Sequence, residues 1–227
     1  AAHRPGLTMV AQHSLAASYL PAFLEELRAL MPEQCFRIRS ENREKGVALL
    51  VRGQTDVFLT CESLQCASGV PPQLATPCVL GEDALVLVLV LVASAKLCAS
   101  PEFLEPSFPL PLLCFPPESF FGQAVRIQAL PELMRDRLVA VQYVSEFSLG
   151  LREMALMHQG AVWLPCALIA QDLKEGRLHE LNSVGRNVPL TIVAYFAHRG
   201  GKVQQELLAQ FTAARSLHAN APGSALT

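Results

Sequence analysis

Strand and helix patterns alternate along residues 7–61, LTMVAQHSLAASYLPAFLEELRALMPEQCFRIRSENREKGVALLVRGQTDVFLTC. Residues 7–12 are short, apolar and β-prone, which predicts a strand. Apolar residues then recur at spacings of three and four from Leu15 to Met31, as they do on one face of a helix. Ser14 is placed to cap this helix, and Pro21 inside the pattern predicts a late start or a kink.

Two more strands and a second helix complete this part of the chain. Residues 36–40 alternate apolar and polar side chains, and residues 56–61 form another short β-prone run. Between them, Asn42 is placed to cap a helix that stops at Gly53. The order strand, helix, strand, helix, strand predicts a parallel sheet with right-handed crossovers.

The α/β pattern resumes after two stretches rich in turn residues. Residues 63–77 predict a surface loop, and the proline-rich residues 101–111 predict an irregular link between two lobes. Further strands are expected at 112–115, 139–144, 161–164, 178–181 and 190–197, and further helices at 119–129, 145–158, just before Lys174 and at 200–215. This second series predicts a second α/β lobe.

Residues 84–93, ALVLVLVLVA, are the most apolar run in the chain. The alternation of Val and Leu predicts a strand buried on both faces, and a run this short cannot cross a hydrocarbon layer about 30 Å thick as a helix. Together with residues 190–197, this strand is expected to cross between the lobes and to act as a hinge. The predicted first lobe therefore comprises residues 1–92 and 190–227, and the second comprises residues 93–189.

The composition argues against several classes of protein. Apolar residues make up 51% of the chain and charged residues 17%, which supports a sizeable core and argues against disorder. The net charge is −2 and no basic stripe is visible, so bulk electrostatics do not point to nucleic acid. The seven cysteines form no C-x-x-C pair, which predicts free thiols in a reducing cytosol and no metal site. No catalytic motif or cofactor-binding loop is visible.

Four stretches of the sequence resemble the effector-binding domain of bacterial LysR-type transcription regulators. They are LTMVAQHSLAASYLPAFLEELRALMP (7–32), GQTDVFL (53–59), LLCFPPESFFG (112–122) and HQGAVWLPCALIAQDLKEGRLHEL (158–181). In that family these stretches are the opening strand and helix, a strand entry, the first strand and loop of the second lobe, and a closing block. The resemblance implies a two-lobed α/β fold of the type 2 periplasmic-binding-protein kind, with parallel-rich sheets flanked by helices and two crossover strands as a hinge.

The resemblance also implies a function. A domain of this kind binds a small-molecule effector between its lobes and passes the signal on by rearrangement, without catalysis, cofactor or metal. The family implies a cytoplasmic homodimer, tetrameric at full length, in which the helix at 15–31 faces the partner's helix at 119–129. No winged helix-turn-helix is visible before Leu7, so we expect DNA binding only through a domain absent from this chain, and no membrane contact.

Candidate effector contacts lie where predicted strands end. In parallel α/β lobes small ligands bind at the carboxyl ends of strands, where helix N-termini offer unpaired N–H groups and suit anions. In the family, the loop matching Asn42 and Arg43 supplies a polar contact, and the loop matching residues 115–119 flanks the effector. The candidate contacts are His13, Ser14, Asn42, Arg43, Thr60, Phe115, Pro116, Ser119 and Ser145. The charges of His13 and Arg43 favour an anionic effector.

Simpler roles and other functions stay open for these residues. Ser14 can act as a helix cap only, His13 as an ordinary loop histidine and Arg43 as a solvated arginine. The segments AQHSL (11–15) and AVWLP (161–165) resemble the hypochlorite-responsive branch of the LysR family, which senses oxidant through side-chain sulfur; five Met and seven Cys are available here. An extracytoplasmic solute-binding protein of the same fold, or an enzyme with a reactive cysteine, are the remaining alternatives.

Overall fold

A computed structural model of the chain describes residues 6–63, 65–66, 69–80, 86–199 and 201–219. The described residues divide into two compact units. Unit 1 draws on residues 1–61, 69–85 and 191–227, and unit 2 on residues 62–68 and 86–190.

Ten strands and ten helices are formed by the described residues. In chain order they are β1 (Leu7–Gln12), α1 (His13–Ser18), α2 (Leu20–Leu30), β2 (Phe36–Glu41), α3 (Arg43–Val51), β3 (Val57–Glu62), β4 (Ala75–Val79), β5 (Val86–Ser94), α4 (Ala95–Cys98), α5 (Pro101–Leu104), β6 (Leu110–Cys114), α6 (Phe120–Gln128), α7 (Leu130–Asp136), β7 (Val139–Val144), α8 (Ser148–Leu156), β8 (Val162–Pro165), α9 (Cys166–Lys174), β9 (Leu178–Glu180), β10 (Val188–Ala197) and α10 (Lys202–Ala219).

The sheet of unit 1 is built on three parallel strands in the order β2-β1-β3. Their register pairs Leu7 with Phe36 and Gln12 with Glu41, so β1 and β2 end side by side. The parallel arrangement predicted from residues 7–61 is confirmed. On the other side of β3 lies β10, which pairs with β4 in antiparallel fashion.

Both faces of the unit 1 sheet are covered by helices. On one face, Leu49 and Leu50 of α3 pack in a buried cluster with Val10 and Phe58. Gly46 of α3 permits this close approach, because a Cβ atom built there would lie 2.2 Å from the Phe58 ring. Elsewhere in the core, the ring of Phe211 from α10 meets Phe196 of β10 and Phe23 of α2, with centroids 5.5 and 5.6 Å apart. This close packing of helices on the sheet fixes the positions of the strand ends.

Unit 2 combines an antiparallel group of strands with a parallel pair. β5 pairs antiparallel with β8 and with β9, and its Leu89, Val90, Leu91 and Val92 are all buried. The prediction of a strand buried on both faces is therefore confirmed. β6 and β7 pair in parallel from Leu110 and Val139 onwards, which agrees with the strand predicted at 139–144.

The first helix differs from its prediction in two ways. Ser14 does not cap it: the capping position is Gln12, no side-chain cap bond forms, and Ser14 lies inside the first turn of α1. The helical pattern is also split at Tyr19, because Pro21 lacks an N–H and occupies the first turn of a new helix, α2. The predicted kink is therefore a change of helix.

Other prolines also lie in elements that differ from those predicted from the sequence. The predicted loop at 63–77 already includes the start of β4 at Ala75, which pairs with β10 despite Pro77. The proline-rich residues 101–111 lie inside unit 2 and form α5 and the start of β6. Pro131 lies in the first turn of α7, because proline is tolerated in a first helical turn. Among the described residues, every helix is too short or too polar to cross a lipid bilayer.

Candidate functional site

The carboxyl ends of β1, β2 and β3 gather polar residues at one edge of the unit 1 sheet. The parallel register brings Gln12 beside Glu41, and the residues that follow each strand open the helices α1 and α3. Five predicted contacts of unit 1 lie at or next to these strand ends: His13, Ser14, Asn42, Arg43 and Thr60. The structure thus places these five residues at one edge of the sheet.

His13 is joined to the end of the neighbouring strand. Its Nδ1 lies 2.7 Å from the Oγ of Ser40 in β2, and the imidazole is exposed to solvent. Because either ring nitrogen can carry the proton, the contact orients the ring without deciding its charge. An exposed imidazole held in this way can donate a hydrogen bond to an anion.

Gln12 ties β1 to β3 beneath this edge. Its Oε1 accepts hydrogen bonds from Thr60 Oγ1 at 3.0 Å and from the Cys61 backbone N–H at 3.3 Å. Gln12 is 6% exposed and Thr60 is fully buried, so the Thr60 hydroxyl is engaged inside the protein. Gln12 was not among the residues predicted to line the site; its position as the last residue of a buried strand before a polar loop is the signal that could have identified it.

Arg43 is buried, which differs from the alternative prediction of a solvent-exposed arginine. The residue is only 8% exposed, and its Nε donates to the Cys61 backbone carbonyl at 3.3 Å. It is the first residue of α3, whose preceding residue Asn42 caps the helix by accepting from the Lys45 N–H at 3.0 Å. A helix N-terminus already carries partial positive charge, so the guanidinium makes this place more electropositive.

Glu41, the last residue of β2, carries a negative charge beside this loop. Its carboxylate lies 2.8 Å from Lys45 Nζ and 3.0 Å from Arg39 Nη2. The hydrogen bond from Lys45, ahead of the one from Arg39, holds the pKa of Glu41 below its usual range. Glu41 is therefore ionised at neutral pH and already has two cationic partners.

Ser14 has a buried hydroxyl that the protein itself does not satisfy. The residue is 5% exposed, and its Oγ has no hydrogen-bond partner among the described residues. Its backbone carbonyl, by contrast, accepts a bond from Ser18 Oγ at 2.8 Å. Leaving a buried hydroxyl unpaired costs about 1–3 kcal/mol, so the unpaired state calls for an explanation.

The predicted contacts of unit 2 lie at the carboxyl ends of β6 and β7. Ser119 caps α6, since its Oγ accepts from the Gly122 N–H at 3.1 Å and donates to the Pro116 carbonyl at 2.8 Å. Phe115 and Pro116 are buried, and the Phe115 ring meets Phe121 edge-on with centroids 5.3 Å apart. The structure therefore groups Phe115, Pro116 and Ser119 in one turn.

Ser145 lies beside this turn but does not start a helix. Its backbone N–H donates to the Cys114 carbonyl at 3.0 Å, and its Oγ accepts from the Phe147 N–H at 3.1 Å. The helix expected from Ser145 begins at Ser148 instead, because residues 145–147 form a turn first. The Ser119 and Ser145 hydroxyls both already serve local backbone groups. The described residues contain no cluster of three or more His, Cys, Asp or Glu that could hold a metal ion.

The LysR substrate binding domain family matches residues 2–215 of the chain. The chain belongs to this family. Its members are the effector-binding regulatory domains of DNA-binding LysR-type transcription regulators, and this LysR domain has their periplasmic-binding-protein-like α/β fold. The family resemblance and the fold class derived from the sequence are thereby confirmed. A comparison with curated protein sequences gave no match.

Solved structures of LysR-type regulators share the fold at low sequence identity. Full-length HypT from Salmonella typhimurium, a hypochlorite-specific LysR-type regulator, is 21% identical with a TM-score of 0.73, covering 94% of this chain and 70% of HypT. The bromide-bound regulatory domain of HypT is 21% identical with a TM-score of 0.70, covering 96% and 99%. Full-length LysG from Corynebacterium glutamicum with bound arginine is 16% identical with a TM-score of 0.62, covering 93% and 68%.

Proposed function

We propose that the polar strand ends of unit 1 bind the effector, and that the effector is a small anion or carries an anionic group. The single observation that carries this proposal is the Ser14 hydroxyl, which is buried and has no partner among the described residues. A bound effector would supply the missing hydrogen bond. The unpaired hydroxyl would then destabilise the ligand-free domain by about 1–3 kcal/mol, and the hydrogen bond to a bound ligand would remove this penalty.

The charges around Ser14 support an anion. His13 and Ser14 open α1, where the first backbone N–H groups have no partner within the helix. The exposed His13 imidazole and the buried Arg43 guanidinium add two donors at the same edge of the sheet. The partial positive charge of a helix N-terminus, the imidazole donor of His13 and the guanidinium of Arg43 together favour a carboxylate or a halide over a neutral molecule.

Two solved relatives are consistent with this class of ligand. HypT was determined with a bromide ion, and LysG was determined with the effector arginine, which carries a carboxylate. The sequence-based prediction that Asn42, Thr60, Phe115, Pro116, Ser119 and Ser145 also contact the effector stays a prediction. For Thr60 and Ser119, whose hydroxyls are already bonded, we expect a supporting role in shaping the loops.

The regulatory step follows from differential binding. An effector shifts an equilibrium between arrangements of the domain only if it binds one arrangement more tightly than the other. We propose that the domain works in this way without catalysing a reaction. We propose that the regulator binds DNA through another of its domains, as full-length LysR-type regulators do, and that it acts in the cytoplasm. The family assignment favours this function over an extracytoplasmic solute-binding protein.

Self-association is part of the proposed function, and it involves a surface of unit 2. Ile127 on α6 is 47% exposed, and Val141 and Val144 on the edge strand β7 are 57% and 55% exposed. Exposed apolar side chains beside an unpaired strand edge mark a protein contact more often than a solvated surface. We propose that a second copy of the chain covers this surface. Ile127→Lys should give a monomer by light scattering, whereas Val51→Lys, at a residue 41% exposed in unit 1, should not.

Oxidant sensing is the second candidate function, because HypT is a hypochlorite-specific regulator of the same fold. Met134 and Met157 are 61% and 66% exposed, whereas Met9 is fully buried. Exposed thioethers are oxidised to sulfoxides first. Mass spectrometry after limited hypochlorite treatment should therefore find oxidation at Met134 and Met157. The candidate requires, in addition, that this oxidation changes the oligomeric state or the thermal stability.

The effector proposal is tested by thermal-shift titrations with sodium bromide, sodium chloride and a panel of small carboxylates. Ser14→Ala should lose the ligand-dependent stabilisation while the free domain stays at least as stable, because the unpaired hydroxyl is removed. Ser18→Ala is the matched control: Ser18 lies in the same helix, and its hydroxyl is engaged with the Ser14 carbonyl. A Ser14→Ala domain that keeps the full ligand-dependent shift would contradict the proposal.

A further inference from the structure

The strand ends of the proposed effector site differ in what their donors and acceptors already do. Side-chain acceptors at this edge of the unit 1 sheet belong to residues at the ends of β1 and β2 or directly after them: Gln12, Ser40, Glu41 and Asn42. Donors at the same edge belong to His13, Ser14 and Arg43. The balance between them determines which ligands bind, because a polar group that binding leaves buried and unpaired weakens the complex.

The amide oxygens at this edge already serve the protein itself. Gln12 Oε1 accepts from Thr60 Oγ1 at 3.0 Å and from the Cys61 backbone N–H at 3.3 Å, which uses both of its lone pairs. Asn42 Oδ1 accepts from the Lys45 backbone N–H at 3.0 Å and so caps α3. A ligand that donated to either oxygen would compete with a bond that holds β3 or α3 in place.

The carboxylates of this region are paired or point away from it. The two oxygens of Glu41 lie 3.0 Å from Arg39 Nη2 and 2.8 Å from Lys45 Nζ. Glu62, the last residue of β3, has a partner as well. Glu44 is exposed on the face of α3 away from the sheet. At this edge, the described carboxylates therefore leave none free to pair with an ammonium group of a ligand.

The donors of the same edge are in the opposite state. The Ser14 hydroxyl is buried and has no partner among the described residues. His13 is exposed, and its contact with Ser40 Oγ at 2.7 Å engages only Nδ1 of its two ring nitrogens. Arg43 adds a permanent positive charge, which attracts an anion and repels an ammonium group.

We propose that this site selects anions that carry no ammonium group, so that simple carboxylates and halides bind and α-amino acids are rejected. The inference rests on the proposed effector site and specifies the class of ligand that the site takes. A carboxylate or a halide only accepts hydrogen bonds, so it matches a site whose open groups are donors. An α-amino acid brings an ammonium group that would find no carboxylate partner and would meet the charge of Arg43.

Three ligands of nearly equal size isolate the effect of the ammonium group. Propionate, lactate and alanine share a carboxylate and a chain of the same length, and they differ in carrying hydrogen, hydroxyl or ammonium beside the carboxylate. Isothermal titration calorimetry at neutral pH should give similar dissociation constants for propionate and lactate. Alanine should bind at least about tenfold more weakly, as expected for a charged group without a partner. Sodium bromide, which has no donor, should compete with propionate.

One substitution supplies the missing acceptor. Asn42→Asp keeps the cap of α3, because aspartate caps helices as well as asparagine does, and it adds a carboxylate at this edge. It should reduce the preference for propionate over alanine by about threefold, the effect of an exposed ion pair. Gln54→Glu is the matched control: it adds the same charge at an exposed residue before β3, at the opposite edge of the sheet, and should leave the preference unchanged.

The results distinguish this inference from the proposed site. If alanine binds as tightly as propionate and Ser14→Ala abolishes both, the effector site stands and the selection against ammonium is wrong. If Asn42→Asp leaves the preference unchanged, the engaged acceptors do not set the selectivity and the inference fails. If propionate, lactate and bromide do not bind, or bind equally well to Ser14→Ala, the proposed effector site fails and this inference fails with it.

Discussion

Gly46→Ala should destabilise the LysR domain and displace the loop that carries Arg43. The Cβ atom of alanine would lie 2.2 Å from Phe58 Cε2 and 2.5 Å from Phe58 Cζ. Carbon atoms pack at about 3.5–4.0 Å, so the overlap exceeds about 1 Å. Phe58 is fully buried in the cluster beneath α3, so its ring has no space to retreat and the helix must move instead.

The expected loss combines two opposing contributions. Overpacking of a well-packed core costs about 1–3 kcal/mol, and more where the backbone has to shift. Alanine is favoured over glycine inside a helix by about 1 kcal/mol, which offsets part of this. We expect a net loss of about 2 kcal/mol in the free energy of unfolding, or roughly 4–8 °C in Tm for a protein of this size.

Urea denaturation followed by far-UV circular dichroism measures this loss, and the same variant is then titrated with the ligand found for the wild type. Gly201→Ala is the matched control, because nothing lies within 4 Å of a Cβ atom built there. Since α3 begins at Arg43, the displaced helix should also weaken effector binding. If Gly46→Ala has the stability of the wild type and of Gly201→Ala, the reasoning about close packing of α3 on Phe58 is wrong.

Two further predictions concern the buried carboxylate of Asp172 and the thiol of Cys114. The Asp172 carboxylate is fully buried and accepts hydrogen bonds from Arg152 at 2.6 and 2.8 Å and from Arg177 at 2.7 Å. Asp172→Asn should therefore lower the free energy of unfolding, measured by urea denaturation, by about 3 kcal/mol. Glu175→Gln, which removes an exposed ion pair with Arg177, should lower it by less than about 1 kcal/mol. Equal losses in the two variants would contradict this. Burial raises the pKa of the Cys114 thiol, so the folded state keeps the thiol proton to a higher pH than the unfolded state does. The stability contributed by the protonated thiol is complete below the unfolded-state pKa of about 8.5 and is lost as the pH rises through the folded-state pKa. Urea midpoints between about pH 8 and about pH 10 should therefore fall less in Cys114→Ala than in the wild type, and parallel curves would refute it.

The order of elements was predictable because hydrophobic periodicity is local. The strands at 7–12 and 139–144 have the predicted bounds, and Asn42 caps α3 as expected. Each of these features depends on residues within one turn or one pleat of each other. The family likeness was likewise visible from four stretches of sequence, and the family match over residues 2–215 confirms it.

The candidate site was predictable only as a set of strand ends. The sequence placed His13, Asn42 and Arg43 where strands meet helices, and the parallel register then brought these loops to one edge. What each side chain does there depends on long-range partners. Thr60 donates to Gln12, which is 48 residues away in the sequence, and Arg43 donates to the Cys61 carbonyl, 18 residues away.

The sequence by itself determined the α/β class, the parallel core of unit 1 and the membership of the LysR family, since these follow from local periodicity and motif order. Only the tertiary structure decided that the Ser14 hydroxyl is buried with no partner among the residues described, that Arg43 is buried, and that an apolar cavity remains beside Trp163. Burial and hydrogen-bond satisfaction arise when distant segments pack, so no local pattern in the chain encodes them.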